Sequence, residues 1–137
     1  MKVNIKHKSV DPKDKALLAY HFLADKKAEA PLILDLRGLT MISDFFVICH
    51  GTSPTHTRGL ADNLLEEMHK RGFRHTGLEG YREQEWILID YGDVVVHVFS
   101  AEQREFYNLE RLWGDAPQLS PEEHARKTRV GPGGRDG

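Results

Sequence analysis

In EWILIDYGDVVVHVFS, residues Glu85–Ser100, two apolar runs flank a Tyr-Gly-Asp turn, and only Trp86, Asp90, Asp93 and His97 interrupt the apolar pattern. Strand side chains alternate faces, so the register of such a hairpin assigns each residue to one face or the other. With Tyr91-Gly92 as a two-residue loop, Ile89 pairs with Val94, Leu88 with Val95, Ile87 with Val96 and Trp86 with His97. One face is then Ile87, Ile89, Val94, Val96 and Val98, wholly apolar. The other is Trp86, Leu88, Asp90, Asp93, Val95, His97 and Phe99, which is mixed. A three-residue loop would mix both faces, so the pattern favours the first register. It leaves Tyr91 exposed at a loop position that wants a positive φ, where tyrosine fits badly.

Outward from the hairpin, the chain reads as a series of capped helices and short strands. Asp11-Pro12 is a helix start with the aspartate as cap, and KALLAYHFLADKKA continues it until Pro31 ends it. PLILDLRG (Pro31 to Gly38) and DFFVICHG (Asp44 to Gly51) read as buried strands, the second apolar on both faces and so central in its sheet. Thr52-Ser53-Pro54 opens a second helix with Leu60, Ala61, Leu64, Leu65 and Met68 on one stripe, ending at Gly72. FRHTGLEG is a short extended segment leading into the hairpin. Ser100 and Gln103 form a capping box for a third helix, AEQREFYNLERLWG, with Phe106, Leu109 and Trp113 on one stripe. From Asp115 the composition turns to proline, glycine and charge, which predicts a flexible tail over 115–137 after a domain spanning 1–114. The order predicts a single-domain α/β fold with a mixed β-sheet and about three helices.

Bulk properties narrow the function classes. A chain of 137 residues is one domain by length, and a net charge of -2 with a pI near 6.4 gives no global pull toward nucleic acid or an anionic membrane. The one cysteine, Cys49, sits in an apolar run, which argues against a disulfide or a thiolate zinc site and for a reducing compartment. No run is long enough to span a membrane, and the lysine-rich start lacks a secretory segment, so a cytoplasmic protein is expected.

Candidate chemistry is sparse. Asp90, Asp93 and His97 are residue types that hold divalent metals, but their spacing matches no standard ligand set, and two turn aspartates with a sheet histidine is the plainer reading. GTSPTHTRGLADN (Gly51 to Asn63) could cradle a phosphate on its backbone N–H groups, yet it lacks the Walker lysine and the three-glycine fingerprint, and a helix cap explains Ser53-Pro54. Ser53 with His56 is one helical turn apart, a chance spacing. The eight histidines do not cluster in the sequence. No cofactor or metal is expected. What stands out is an acidic surface: Glu79, Glu83, Glu85, Asp90 and Asp93 gather around Trp86 and Tyr91, a combination suited to a basic protein partner.

Four segments carry a family resemblance: DLRG (Asp35 to Gly38), SDFFVICHGTS (Ser43 to Ser53) with His56 beyond it, EGYREQEWILIDYGDVVVHVF (Glu79 to Phe99) and REFYNLERLW (Arg104 to Trp113). Together they resemble the ribosomal silencing factors, also called Iojap-like proteins, over about residues 12–114. The resemblance implies a nucleotidyltransferase-like topology without the catalytic carboxylates. It implies a non-enzymatic factor that binds the large ribosomal subunit through ribosomal protein fourteen, blocks association with the small subunit and represses translation under nutrient limitation. It requires no direct nucleic-acid binding, and leaves room for a nearby ribosomal RNA contact and for a homodimer of the free protein. Carried onto this chain, the contact surface comprises Trp86, Asp90 and Tyr91, with Leu88, His97 and Phe99 on the same face. Arg104 and Tyr107 match the motif as well, either as contacts or as helix packing behind the hairpin. The competing expectation is a metal-dependent nucleotidyltransferase-like enzyme using the Gly51-Ser53 turn with Asp35, Asp44 or Asp90. RNA binding is a third, which the acidic hairpin disfavours.

Overall fold

A computed structural model describes residues 10–121. Helix α1 (Pro12–Asp25) begins where its cap predicts, with the Asp11 carboxylate accepting the Lys13 N–H at 3.0 Å. It ends before Pro31, through a turn in which Lys27 has φ 63°. Strand β1 (Glu29–Asp35) contains that proline. Pro31 is therefore part of a bulge rather than a helix terminator: the pairing slips by one residue between Glu29↔His50 and Leu32↔Ile48, with Ala30 at φ 45°. A bulge tolerates a residue that cannot donate to the ladder.

Strand β2 (Phe45–Gly51) is central, as its two apolar faces predict. It is followed by α2 (Pro54–Lys70), β3 (Gly77–Glu79), β4 (Trp86–Asp90) and β5 (Val94–Ser100). The sheet order is β1-β2-β5-β4-β3, with β2 and β5 parallel and the other pairs antiparallel. Helices α1 and α2 cover one face. There Leu17, Leu23, Leu60, Leu64 and Met68 pack on Ile33, Phe45, Val47, Cys49, Ile87, Ile89, Val94, Val96 and Val98. Each such aliphatic side chain contributes about 1.5–3 kcal/mol when fully buried, which holds the wholly apolar hairpin face against the helices. Gly51 is where α2 comes closest to the sheet: a Cβ there would lie 2.5 Å from Thr57 Oγ1 and 2.7 Å from the Thr57 backbone nitrogen.

The hairpin keeps its predicted faces but not its predicted register. Trp86 pairs with Phe99, Leu88 with His97 and Asp90 with Val95, two residues away from the expected alignment. The Tyr91 N–H donates to the Val94 carbonyl at 2.9 Å, so the loop is Gly92-Asp93 rather than Tyr91-Gly92. The positive φ falls on Gly92, at 87°. This removes the strain that tyrosine would have carried. Tyr91 becomes one more member of the core face and is 5% exposed. Asp93 leaves the mixed face altogether and pairs with Lys15 of α1 at 2.7 Å.

The third helix is broken. Helix α3 (Ala101–Tyr107) stops at Asn108, which has φ 44° and ψ 61°, and α4 (Leu109–Leu112) restarts with the Asn108 side chain accepting the Arg111 N–H. The break turns Leu109 into the second core and leaves Phe106, expected on the buried stripe, exposed. Nor does packing end at Asp115. Ala116 is buried, Gln118 bridges Leu34, Asp35 N–H donates to the Pro117 carbonyl, and Leu119 N–H donates to that of Ile33. The expected tail from residue 122 onward lies outside the described residues.

The close approach at Gly51 predicts that Gly51→Ala lowers the unfolding free energy by about 1–3 kcal/mol, since backbone as well as side chain must move. Gly59→Ala, on the open face of α2 with nothing within 4 Å of the added carbon, should stabilise by about 0.5–1 kcal/mol. Urea unfolding of the two variants checks the contrast.

Candidate functional site

The sheet face away from α1 and α2 is only partly covered. Leu34, Leu36, Phe46, Ile48, Val95 and Phe99 form a second core beneath Leu109 and Ala116, while Trp86, Leu88 and Trp113 lie half-buried at its margin. Over β4 the aromatic rings are graded in exposure. Phe99 is fully buried, Trp86 lies 4.9 Å from it between ring centres, and Tyr107, 4.6 Å from Trp86, is 46% exposed. Glu79 pairs with Leu88 from β3 and is exposed, while Glu83 and Glu85, also exposed, line a recess with Gly51, Ser53 and Ser100 at the start of β4.

His97 lies under this layer and is 3% exposed. Its Nδ1 accepts the Trp86 indole N–H at 3.1 Å. An indole nitrogen can only donate, so the neutral imidazole carries its proton on Nε2. Burial pushes its pKa down to about 3. The ring stays uncharged.

The eight expected contact residues thus divide by geometry. Trp86, Leu88, Asp90 and Tyr107 reach the surface, whereas His97, Phe99 and Arg104 are buried and Tyr91 lies in the core on the opposite face. The Asp90 carboxylate accepts the Gly92 N–H at 2.7 Å and so shapes the turn. Arg104 is a clamp across the α3–α4 break: it bonds Glu110 through Nε and a terminal nitrogen at 3.1 and 2.8 Å, and approaches the Glu29 carbonyl and His50 Nδ1, both at 3.1 Å. That arrangement matches the packing alternative for Arg104.

Sequence reasoning missed Phe46 and Trp113 as members of this face, and Leu39, Met41 and Ile42 as exposed apolar residues. Phe46 enters because β2 runs parallel to β5, placing it beside Val95 and against His97, 4.5 Å between ring centres. Leu39, with Leu112 and Trp113, lines a shallow recess, and Met41 and Ile42 are exposed, Met41 completely. The visible signal was the run Leu39-Thr40-Met41-Ile42, unusually apolar for a connection between strands.

The alternative enzymatic arrangement is not assembled. The Thr52 N–H, which would face a phosphate, donates instead to His56 Nδ1 at 2.9 Å, and His56 Nε2 bonds the Lys26 carbonyl at 3.0 Å. Ser53 caps α2 through the His56 N–H. Asp35, Asp44 and Asp90 lie at the other end of the sheet, because Asp35 pairs with Phe45 and Asp90 with Val95, while Gly51 pairs with Ser100. Six residue steps separate the two ends of β2, roughly 20 Å. The Asp35 carboxyl is held below its usual range by its hydrogen bonds to Arg37. No three potential ligands converge among the described residues, and none of their helices is long and apolar enough to cross a membrane. Cys49 is buried, and its thiol is pushed up to about 12 by desolvation, far from a nucleophilic thiolate.

The buried His97 generates a pH prediction. Its folded pKa, about 3, lies below the ordinary 6.5, so the unfolded chain binds the extra proton between these values. The associated stability is full above about pH 6.5 and is lost as pH falls toward 3, at up to about 1.4 kcal/mol per pH unit. Denaturation curves at stepped pH should show a shallower acid slope for His97→Phe than for the wild-type chain.

Residues 9–133 match the family model described as ribosomal silencing factor during starvation. A relative named ribosomal silencing factor RsfS from Halalkalibacterium halodurans is 47% identical, over 77% of this chain and 90% of its own. One of the same name from Bacillus subtilis is 45% identical over 68% and 79%. A crystal structure from Chromobacterium violaceum superposes with a TM-score of 0.74 at 32% identity, covering 77% of this chain and 88% of that one. Another, from Bacillus halodurans, gives 0.70 at 41% identity over 79% and 98%. A five-stranded mixed sheet backed by helices, the quoted motifs in order and a family match spanning most of the chain lead to one assignment: this chain belongs to the ribosomal silencing factor family.

Proposed function

We propose that this protein docks through its partly open sheet face onto ribosomal protein fourteen of the large ribosomal subunit. Bound there it stands in the way of the small subunit, lowers translation when nutrients are scarce, and performs no chemistry of its own. The observation that carries this reading is the layered aromatic edge of Trp86 and Tyr107, flanked by Leu88 and, across from it on β3, Glu79, with the exposed Glu83 and Glu85 in the segment that leads into β4. Large amphipathic rings at the centre of a patch and a charged rim are what a protein interface needs. The acidic rim favours a basic partner and steers its approach, as a ribosomal protein surface would require.

In this reading Trp86, Leu88, Asp90 and Tyr107 touch the partner. Phe99 and His97 support them from below, and Arg104 holds the helix break that carries Tyr107. Tyr91 takes no part in contact, being on the other side of the sheet. The function acts in the cytoplasm, where ribosomes are found. A ribosomal RNA contact beside the docking site and a dimer of the free chain are compatible with it.

Mixing excess protein with purified subunits and following sedimentation should leave subunits unjoined; normal formation of intact ribosomes would reject the function. Trp86→Ala should weaken large-subunit binding by about 2 kcal/mol or more, roughly thirtyfold. Tyr91→Phe, which removes only a buried hydroxyl lacking a hydrogen-bond partner, should bind as the wild type does.

A further inference from the structure

We propose that His97 is a positioning residue for the docking surface, acting on a partner only by fixing the plane of the Trp86 indole. The inference rests on the docking reading above and assigns the residue a role distinct from contact. At 3% exposure His97 offers almost nothing to a partner. Among the described residues its side chain makes one hydrogen bond, received from the indole at 3.1 Å.

The imidazole is itself fixed from several directions. Leu88 and Ile48 are its cross-strand neighbours on β4 and β2. The Phe46 ring meets it edge-on, and Phe99 lies parallel to it, 6.1 Å away and inclined by 12°. Held in that frame, Nδ1 is a stationary acceptor. The indole, half-buried and touching Phe99 on the inside and Tyr107 on the outside, could slide or turn about its own χ angles if packing alone restrained it. A single directional bond removes that freedom before a partner arrives, so less side-chain entropy is lost on binding. An apolar residue at 97 would fill the space but offer no acceptor. A protonated imidazole would lack it too, and burial keeps the ring neutral at any physiological pH.

Nε2, the nitrogen that carries the proton, has no hydrogen-bond partner among the described residues. An imidazole is thus kept in the second core with one buried polar atom unsatisfied, which disfavours a purely structural reason for its presence. The bond to Trp86 is the one polar contact that offsets this cost.

The test follows the indole N–H resonance of Trp86, assigned by its loss in Trp86→Phe, together with affinity of the full chain for purified large subunits. In His97→Phe the resonance should move and exchange faster with solvent, and affinity should fall by about fivefold, the loss expected for one ordering hydrogen bond. His97→Asn, whose side-chain oxygen falls near the place of Nδ1, should return both readouts toward wild type. In a Trp86→Phe background, His97→Phe should cause no further loss of affinity. An unmoved resonance in His97→Phe, or an equal loss of affinity with and without Trp86, overturns the proposal. If the wild-type chain binds no large subunit, the docking reading and the docking half of this inference fall together. The resonance then decides separately whether His97 fixes the indole.

Discussion

The Gly92-Asp93 loop is the joint on which the rest of the molecule hangs. Gly92 accepts the left-handed backbone that closes the hairpin, and with the Asp90 carboxylate on its N–H it fixes which residue of β4 faces which residue of β5. Asp93 then ties the hairpin to two other elements. Its carboxylate meets Lys15 of α1 at 2.7 Å, and its carbonyl accepts from Asp44 N–H, Phe45 N–H and Ser43 Oγ at the entry to β2. One short loop therefore sets the hairpin register, seats the first helix and starts the parallel β2–β5 pairing. With that alignment fixed, Tyr91 must face the helices, and Trp86, Leu88 and His97 must face the other way.

The two sheet faces then have different fates. The first is closed by α1 and α2 and is a conventional core. The second is roofed by Leu109, Ala116 and Trp113, parts of a short broken helix and the segment after it, and Trp86 and Leu88 of β4 are left half-buried at its margin. The break at Asn108 matters here, because a continuous helix would carry Tyr107 and Leu109 through fixed angles. The Arg104–Glu110 pair spans the break, so Leu109 can bury itself while Tyr107 stays stacked on Trp86 at the surface. The unroofed part over β4 is where the aromatic rings and their acidic neighbours emerge.

Much of this was legible in the sequence because it is local. The aspartate and serine caps, the prolines behind them, the doubly apolar β2 and the alternation along the hairpin each report a short-range constraint, and each structure formed as read. The register was not legible for a particular reason: a slip of two residues preserves every face, so the hydrophobic pattern is blind to it. Only the discomfort of tyrosine at a positive φ pointed to the true loop. Pairing of residues 117–119 with β1, and the left-handed Asn108 inside a helix-like pattern, depend on contacts distant in the chain or on a single backbone angle. Periodicity carries neither. The mixed face, read from the sequence as the candidate site, is the one left partly covered in the fold. Its membership changed because Tyr91 followed the corrected register and because burial separated supporting residues such as His97 from surface ones.

The central claim is that the face over β4, and not the helical face, meets the ribosome. Hydroxyl-radical footprinting of the chain alone and bound to the large subunit measures this side chain by side chain. On binding, Trp86, Leu88 and Tyr107 should lose reactivity while Leu65 and His69 on α2 keep theirs. Unchanged reactivity at Trp86 and Tyr107, with protection moved to α2, would contradict it.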